Sequence, residues 1–288
     1  MEGLVEQRAF ADFPALLREI TDPPEIIYLR GTYPSAELKF LAVVGSRKYT
    51  SYGKSACEKL IGGLRGHPVC IVSGLALGID AIAHEAALAA GLSTVAIPGS
   101  GLSDAVLYPR TNFNLAQRIL KAGGALLSEF PPEHRARPEN FLQRNRIMAG
   151  LSHAVLVIEA GFRSGTLVTA RLAAEYNRDV LTVPGSIFSE TSRGNHYLLR
   201  VGATPVTSSE EILDALHILP QTTPSESYEI PADCSEGERE ILLLLKSPTE
   251  KEVLLGQLSF DVVTASSLFS LLEIKGYIKE SGGKVMRV

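Results

Sequence analysis

One local pattern, repeated three times from Leu41 onward, restricts the possible folds of this chain more than any other feature. Each copy runs from an apolar strand through a loop of small residues into a helix: LAVVGSRKYTSYG, CIVSGLALGIDAIAHEAAL and AVLVIEAGFRSGTLVTARLAAEY. In a parallel sheet such loops lie at the carboxyl edge of the strands, where free backbone N–H groups and the helix dipole favour a bound anion. The repeats therefore predict a parallel α/β sheet whose ligand carries phosphates.

The alternation of strand and helix continues to about Leu216. Further apolar segments of strand length follow the first repeats, namely TVAIPGSG, ALLSEF and DVLTVPGS. Buried strands of this kind are typical of a parallel sheet that helices cover on both faces. We therefore predict an α/β fold with a doubly wound, mostly parallel sheet over residues 36–217.

Two further regions flank this main domain. Residues 1–35 are expected to form a lead-in packed on it, with a short helix in PALLREI, a helix-blocking Asp22-Pro23-Pro24 and a strand in EIIYLRG. Residues 218–236 are rich in Pro, Ser, Thr and acidic side chains, which indicates an exposed linker.

The final region, residues 237–288, has the pattern of a small winged-helix domain. REILLLLK indicates one helix, Val262–Ile274 an amphipathic second helix, and YIKESGGKVMRV two strands around a Gly-Gly turn. The Val262–Ile274 helix exposes serines and a glutamate, with Lys275 only at its end, so its electrostatic contribution to DNA affinity would be small. We expect an interaction or accessory role for this domain.

The composition excludes several classes of protein. The longest apolar stretches are of strand length, so we expect no membrane span, no signal peptide and a cytoplasmic location. Cys57, Cys70 and Cys234 lack CxxC or His-paired spacing, so we expect neither a metal site nor a disulfide framework. The net charge of −4 argues against a uniformly basic nucleic-acid binder and leaves room for a local basic patch.

The loop after the first strand of the repeats reads Gly45-Ser46-Arg47, which is neither a G-x-G-x-x-G fingerprint nor a P-loop. An arginine at a helix entrance offers a fork of donors that matches a phosphate in two hydrogen bonds. Such a residue suits a sugar–phosphate backbone as well as a nucleotide. The plainer alternative is a surface arginine beside a tight turn.

A basic segment lies between His134 and Arg146. It contains four arginines against Glu139 and ends just before the apolar sequence IMAGLS; the arginines are Arg135, Arg137, Arg144 and Arg146. Arginine neutralises phosphates and stacks on bases, and Phe141 offers a further stacking face. The alternative is a solvated helix start whose arginines pair with neighbouring acids.

These residues resemble the bacterial DNA-processing protein A family (DprA/Smf). The resemblance is carried by Asp22-Pro23-Pro24, VVGSR at 43–47, SGLALGIDAIAH at 73–84, PGSGL with Tyr108-Pro109 and Asn112, Ser128-Glu129, Pro131, FLQRNRIMAGLS at 141–152, EAGFRSGTLVTA at 159–170, PGS with Gly194-Asn195, and Gly202-Ala203. The segments LLEIKGYI and GGKVMRV resemble the winged-helix appendage of many members.

The resemblance implies an extended Rossmann-like domain that binds single-stranded DNA without sequence preference and has no enzymatic activity and no cofactor. It also implies a homodimer that loads a RecA-type recombinase onto incoming DNA during natural transformation. The DNA contacts implied by the family pattern are Gly45, Ser46, Arg47, Gly74, Arg137, Phe141, Arg144, Asn145, Arg146, Ser164, Gly165 and Thr166.

Two other functions are open at this point. A related Rossmann-like group, the nucleoside-monophosphate phosphoribohydrolases, carries P-G-G-x-G-T-x-x-E at the start of the corresponding helix. Thr169 stands where that group has its catalytic glutamate, and a hydroxyl cannot stabilise an oxocarbenium ion by charge. A purely protein-binding scaffold is the second alternative, although it leaves the small-residue loops without a role.

Four other polar residues are expected to organise loops. Asp80 and His84 are four positions apart on one predicted helix face, and Glu129 and Glu159 each close an apolar strand. We interpret the two glutamates as hydrogen-bond acceptors that position Arg144 or Arg146, because an unpaired buried acid is costly. For the homodimer surface, the apolar helices in HYLLRVGA and EEILDALHIL are the candidates.

Overall fold

The computed structural model describes residues 5–9, 12–162, 164–218, 234–245, 249–281 and 284–287. The chain forms two compact units, Met1–Gln221 and Thr222–Val288. Within the described ranges, no group of three or more His, Cys, Asp or Glu side chains has the arrangement that would hold a metal ion. None of the helices in those ranges is long and apolar enough to cross a membrane.

A nine-stranded sheet forms the centre of the first unit, in the spatial order β1-β2-β6-β5-β4-β3-β7-β8-β9. Its strands are β1 (Val5–Ala9), β2 (Ile26–Gly31), β3 (Lys39–Val44), β4 (Val69–Ser73), β5 (Ser93–Ala96), β6 (Ala125–Ser128), β7 (Ala154–Val157), β8 (Asp179–Thr182) and β9 (Thr204–Pro205). In this spatial order, every neighbouring pair among the seven strands from β6 to β9 is parallel. β1 and β2 are antiparallel to their neighbours.

Helices cover both faces of this sheet. They are α1 (Ala15–Arg18), α2 (Ser51–Gly62), α3 (Ile79–Ala89), α4 (Phe113–Lys121), α5 (Pro138–Gln143), α6 (Asn145–Leu151), α7 (Gly165–Glu175), α8 (Arg193–Arg200) and α9 (Ser209–Ala215). Alternate residues of β3 point to opposite faces: Ala42 and Val44 pack with α6, α7 and α8, whereas Leu41 and Val43 pack with α2, α3 and α9. The predicted doubly wound α/β sheet is confirmed.

The strand order reverses at β3. The chain runs outward from β3 through β4, β5 and β6, then returns to place β7 on the other side of β3 and continues to β8 and β9. The carboxyl ends of β3 and β7 therefore border a crevice, which is where open α/β sheets bind ligands.

The N-terminal residues extend the sheet. β2 pairs with β6 between Tyr28 and Ser128, and β1 pairs with β2 as the edge strand. Sequence reasoning predicted the strand in EIIYLRG and missed β1, whose VEQRA sequence shows little apolar alternation. The helix expected in PALLREI is only four residues long.

The second unit contains α10 (Glu236–Leu244), β10 (Thr249–Glu250), α11 (Lys251–Leu255), α12 (Val262–Ile274), β11 (Ile278–Ser281) and β12 (Lys284–Arg287). The strands form a separate sheet in the order β10-β12-β11, over a core that includes Ile241, Phe269 and Leu272. The Val262–Ile274 helix was expected as the second helix of this unit; it is the third, because α11 precedes it. The winged-helix assignment stays a prediction.

Most of the predicted linker, residues 219–233, lies outside the described residues. At its two ends, Ile218 is buried in the core of the first unit and Cys234 in the core of the second. The predicted Gly-Gly turn, at residues 282 and 283, also lies outside the described residues.

Candidate nucleic-acid interface

A cleft of about 500 Å³ opens at the carboxyl ends of β3 and β7. Three segments surround it: the loop between β3 and α2, the α5–α6 pair, and the start of α7. The residues that line it are Val44, Gly45, Ser46, Arg47, Lys48, Ala76, Asp80, Phe141, Leu142, Arg144, Asn145, Met148, Gly161, Ser164, Gly165, Thr166 and Thr169. The structure thus brings together most of the expected contacts, and Gly74, Arg137 and Arg146 are not among the lining residues.

Arg47 is an exposed cation of the cleft. Its guanidinium carbon lies 5.1 Å from the centroid of the half-buried Phe141 ring, a cation–π contact that joins the β3–α2 loop to α5. No ion pair involving Arg47 is found among the residues that the structure describes. Its charge is therefore available to an anion that enters the cleft.

Ser46 fixes the shape of this loop. Its Oγ accepts a hydrogen bond from the Lys48 N–H at 3.0 Å and donates to the Lys48 carbonyl at 2.8 Å. Gly78, whose φ is +85°, lies against the backbone of Ser46 and Arg47, so a side chain there would collide with the loop. The Ser46 hydroxyl and the close contact with Gly78, directly before α3, together fix the conformation of this loop.

The N-terminus of α7 forms the opposite side of the cleft. Ser164 is its N-cap, and the Ser164 Oγ accepts from the Thr166 N–H at 3.2 Å and donates to Thr166 Oγ1 at 2.9 Å. Asn145 connects α6 to this turn by donating from Nδ2 to the Gly165 carbonyl at 3.5 Å. The positive end of the α7 dipole faces the cleft, which favours an anionic ligand.

Arg144 forms the floor of the cleft and is 4% exposed. It donates from Nη1 to the carbonyls of Gly74, at 2.5 Å, and Ile97, and its Nη2 lies 3.6 Å from Asp80 Oδ2. Burial lowers the pKa of Arg144 to about 10, so the guanidinium stays protonated at neutral pH. Burial raises the pKa of Asp80, and Arg144 opposes that rise.

The family can be named from this architecture and its sequence. The profile of the DNA recombination-mediator protein A family matches residues 7–217. The chain belongs to this family. Protein Smf of Escherichia coli (strain K12) is 43% identical over 220 residues, which are 75% of this chain and 58% of Smf. The DNA processing protein DprA of Streptococcus pneumoniae (strain ATCC BAA-255 / R6) is 43% identical over 201 residues, 70% of each chain.

Solved structures give the same result. The X-ray structure of DprA from Streptococcus pneumoniae superposes with a TM-score of 0.67 at 39% identity, covering 73% of this chain and 74% of that one. A structure of DprA from Helicobacter pylori, described as showing a single-stranded DNA binding mode, gives a TM-score of 0.65 at 28% identity, covering 75% and 98%. The chain spans little more than half the length of Smf.

Three of the expected DNA contacts need correction. Gly74 is buried, and its lack of a side chain makes room for the Arg144 guanidinium, which a Cβ would displace. Arg146 turns away from the cleft to Glu129 Oε2 at 2.5 Å and Asp22 Oδ2 at 3.4 Å. Arg137 is exposed just before α5 and does not line the cleft.

Arg144 needs the same correction in part. It lines the cleft, but its guanidinium is engaged by Asp80 and by two carbonyls, so it shapes the floor and is not a free phosphate ligand. Sequence reasoning could not see this because Asp80 lies on α3 and the two carbonyls directly follow β4 and β5, all far from Arg144 in the sequence.

The two glutamates expected to organise loops have clear partners. Glu129 accepts from Arg146 and from Gln143 Nε2 at 3.0 Å; burial raises its pKa and Arg146 opposes the rise. Glu159 is 2% exposed and accepts from the Thr50 N–H at 2.9 Å and the Thr50 hydroxyl at 2.5 Å. Glu159 therefore connects the end of β7 to the N-cap of α2, close to Arg47.

His84 is fully buried and lies outside the cleft. Its Nδ1 is 2.7 Å from Thr94 Oγ1, and Thr94 in turn donates to the Ile71 carbonyl at 2.8 Å. Burial lowers the pKa of His84 to about 3, so the ring is neutral at physiological pH. These contacts connect α3 to β5 and β4.

Thr169 lies on the buried side of the cleft, one turn into α7, and is 1% exposed. Its position in the cleft corresponds to the place where the phosphoribohydrolase pattern has a glutamate. A threonine there supplies neither negative charge nor a general base near neutral pH.

Sequence reasoning overlooked one exposed cation. Lys48 lines the cleft beside Arg47 and is exposed. Its position directly after the Gly45-Ser46-Arg47 loop was the available signal. Leu142 is also exposed at the cleft, next to Phe141.

Proposed function

We propose that the cleft binds single-stranded DNA by its backbone, with little sequence preference. The observation that carries the proposal is the exposed Arg47, which forms no ion pair with a described residue and lies against Phe141, opposite the N-terminus of α7. The single-stranded DNA binding mode described for the Helicobacter pylori relative, which this chain matches over 75% of its length, supports it.

The physical mechanism combines charge with stacking. Phosphates bind to two kinds of group at the mouth of the cleft. Arg47 and Lys48 supply positive charge, and the backbone amides at the start of α7 supply N–H donors. Phe141 offers an apolar surface to a base, and aromatic stacking tolerates every base. Contacts of these kinds give affinity that depends on salt and little on sequence.

The test is a titration of labelled oligothymidine at several salt concentrations. Arg47→Ala should lower the affinity about tenfold and reduce the slope of log K against log salt by about one, because one phosphate contact is lost. The matched control is Arg65→Ala, since Arg65 is also exposed but lies after α2, at the opposite edge of the sheet. Equal affinities for the Arg47→Ala variant and the unmodified protein would contradict the proposal.

The wider role proposed is that of a recombination mediator in the cytoplasm, which protects incoming DNA and loads a RecA-type recombinase during natural transformation. Family membership supports this role. The proposed active form is a homodimer. Two helices were considered for the dimer surface. The apolar residues Ile212 and Leu213 of α9 are buried in the core of the first unit, so α9 is the weaker candidate. On α8, Tyr197 is exposed, and so is Val201, which directly follows the helix.

The protein is proposed to act without catalysis. The support is Thr169, which occupies the glutamate position of the phosphoribohydrolase pattern with a buried hydroxyl. Incubation with AMP should release no adenine. Release of free adenine would restore the hydrolase as the better interpretation.

A further inference from the structure

Tyr108 lies beside the cleft, on the loop that follows β5, and is not among the lining residues. Its ring is 48% exposed, although its backbone is anchored: the Tyr108 N–H donates to Ser100 Oγ at 3.2 Å, and Ser100 is fully buried. Leu107, directly before it, is also fully buried. An aromatic side chain on a fixed backbone presents contact area at a low cost in conformational entropy.

The Tyr108 ring continues the aromatic surface of the cleft. The centroids of Tyr108 and Phe141 are 5.8 Å apart, and Phe141 in turn carries the Arg47 guanidinium. Phe141 is half-buried, with one edge against Gly99, where a Cβ would collide with the ring. Arg47, Phe141 and Tyr108 thus lie in a row, and Tyr108 is the more exposed of the two rings.

The spacing of the two rings favours a particular state of the nucleic acid. Successive bases of a duplex strand are about 3.4 Å apart along the axis. The two ring centroids are 5.8 Å apart, and their planes are inclined by 51°. Neighbouring bases that contact both rings cannot also stack on each other, and only an unpaired strand has the freedom to separate them.

A cation lies two residues further along the same loop. Arg110 is exposed; its guanidinium donates to the Asp104 carbonyl at 2.5 Å and lies 4.7 Å from the Phe113 centroid. A DNA strand that contacts Tyr108 can therefore place its next phosphate near the positive charge of Arg110. Aromatic rings combined with cations along one surface are the pattern expected of a single-stranded nucleic-acid path.

We propose that Tyr108 is a second base-stacking platform, which extends the single-stranded DNA path from the cleft toward the carboxyl end of β5 and selects unstacked strands. The inference rests on the proposed function of the cleft. The ligand at Tyr108 is a nucleobase, because the tyrosine ring is flat, uncharged and accessible, and it lies next to Phe141, where the DNA is proposed to bind.

A tryptophan at position 108 provides a direct test, because the chain contains no Trp. The emission of Tyr108→Trp should fall on addition of oligothymidine, and the fall should saturate with the binding curve of the labelled oligonucleotide. The control is Val263→Trp on α12 of the second unit, an exposed position that does not line the cleft, and its emission should not change. Normal binding with unchanged Tyr108→Trp emission would overturn the inference.

Affinity provides the second test. Tyr108→Ala should weaken oligothymidine binding about tenfold, whereas Tyr108→Phe should bind as the unmodified protein does. The unmodified protein should prefer oligothymidine to oligodeoxyadenosine, whose bases stack more strongly, and Tyr108→Ala should reduce that preference. Thermal unfolding checks that each variant is folded.

The outcomes separate the two proposals. If the unmodified protein binds no oligonucleotide, the proposed function of the cleft fails. If it binds, and Arg47→Ala weakens binding while Tyr108→Ala and Tyr108→Phe both bind normally, only the Tyr108 platform is overturned. If Tyr108→Ala does not fold, the emission of Tyr108→Trp still decides between the two results.

Discussion

At the scale of single residues, Arg47 and Arg144 show how one residue type takes two roles in the same cleft. Arg47 is exposed, its guanidinium lies against the Phe141 ring and it forms no ion pair with a described residue, whereas Arg144 is buried against Asp80 and two carbonyls. The sequence predicts that both lie near a phosphate site but not which of them is free. That distinction depends on Asp80, which lies at the start of α3, far from Arg144 in the sequence, and pairs with it only in the folded chain.

The buried pair gives a prediction about stability. Replacing Arg144 by methionine leaves the Asp80 carboxylate buried without its cation, so Arg144→Met should lower the free energy of unfolding by about 3–5 kcal/mol. Urea unfolding measures the change. The double variant Arg144→Met with Asp80→Asn should recover part of the loss. If Arg144→Met instead unfolded at the same urea concentration as the unmodified protein but bound DNA weakly, Arg144 would be a direct phosphate ligand.

His84 gives a prediction about pH. Its folded pKa of about 3 lies below the unfolded value of about 6.5, so the unfolded chain binds the extra proton as the pH falls. The stability due to neutral His84 is present above about pH 6.5 and is lost progressively toward about pH 3.

Urea unfolding at two pH values checks this sign. Between about pH 7 and about pH 5, the unmodified protein should lose about 2 kcal/mol more stability than His84→Gln, which has no imidazole to protonate. Equal losses in the two proteins would show that His84 accepts its proton equally well in the folded state.

At the scale of elements, segments with an apolar run were predictable, and short segments without a clear pattern were not. The loops after β3, β4 and β7 were visible because an apolar strand, small residues and a helix follow one another in each. β1 and β10 are short and mostly polar, and α11 has only five residues, so none of them shows the apolar run that marks the four-residue strands β5 to β8. Likewise, contacts between loops, such as Glu159 with Thr50, carry no local sequence signal.

The bond between β7 and α2 predicts an effect of Glu159 on binding. Glu159→Gln loses the negative acceptor for the Thr50 N–H and hydroxyl, so the loop that carries Arg47 should become less ordered. We expect oligothymidine affinity to fall about threefold to tenfold and stability by about 1–3 kcal/mol. The control is Glu175→Gln at the exposed end of α7, which should leave affinity unchanged. Unchanged affinity in Glu159→Gln would mean that the loop is ordered without this contact.

At the scale of the whole molecule, the net charge of −4 conceals a local concentration of cations and helix N-termini in the first unit. The second unit offers little to DNA on its longest helix. α12 exposes Ser266, Ser270 and Glu273, and Lys275 at its end pairs with Glu238 at 2.8 Å. Two compact units are found, and the segment for which composition predicted a linker is rich in Pro, Ser and acidic residues.

This division predicts that the first unit binds DNA alone. A chain ending at residue 221 should bind oligothymidine within about twofold of the full chain and with the same salt slope, because the phosphate-binding groups are retained. Fluorescence anisotropy of the labelled oligonucleotide measures both quantities. A large loss of affinity in a folded truncated chain would assign phosphate contacts to residues 222–288.

The position of the DNA is tested most directly by a crystal structure of the full chain with a short oligothymidine. We predict phosphates within hydrogen-bonding distance of the Arg47 guanidinium and of the backbone N–H groups at the start of α7, with a base against Phe141. An oligonucleotide bound elsewhere on the protein, with the cleft between β3 and β7 empty, would contradict the proposed function.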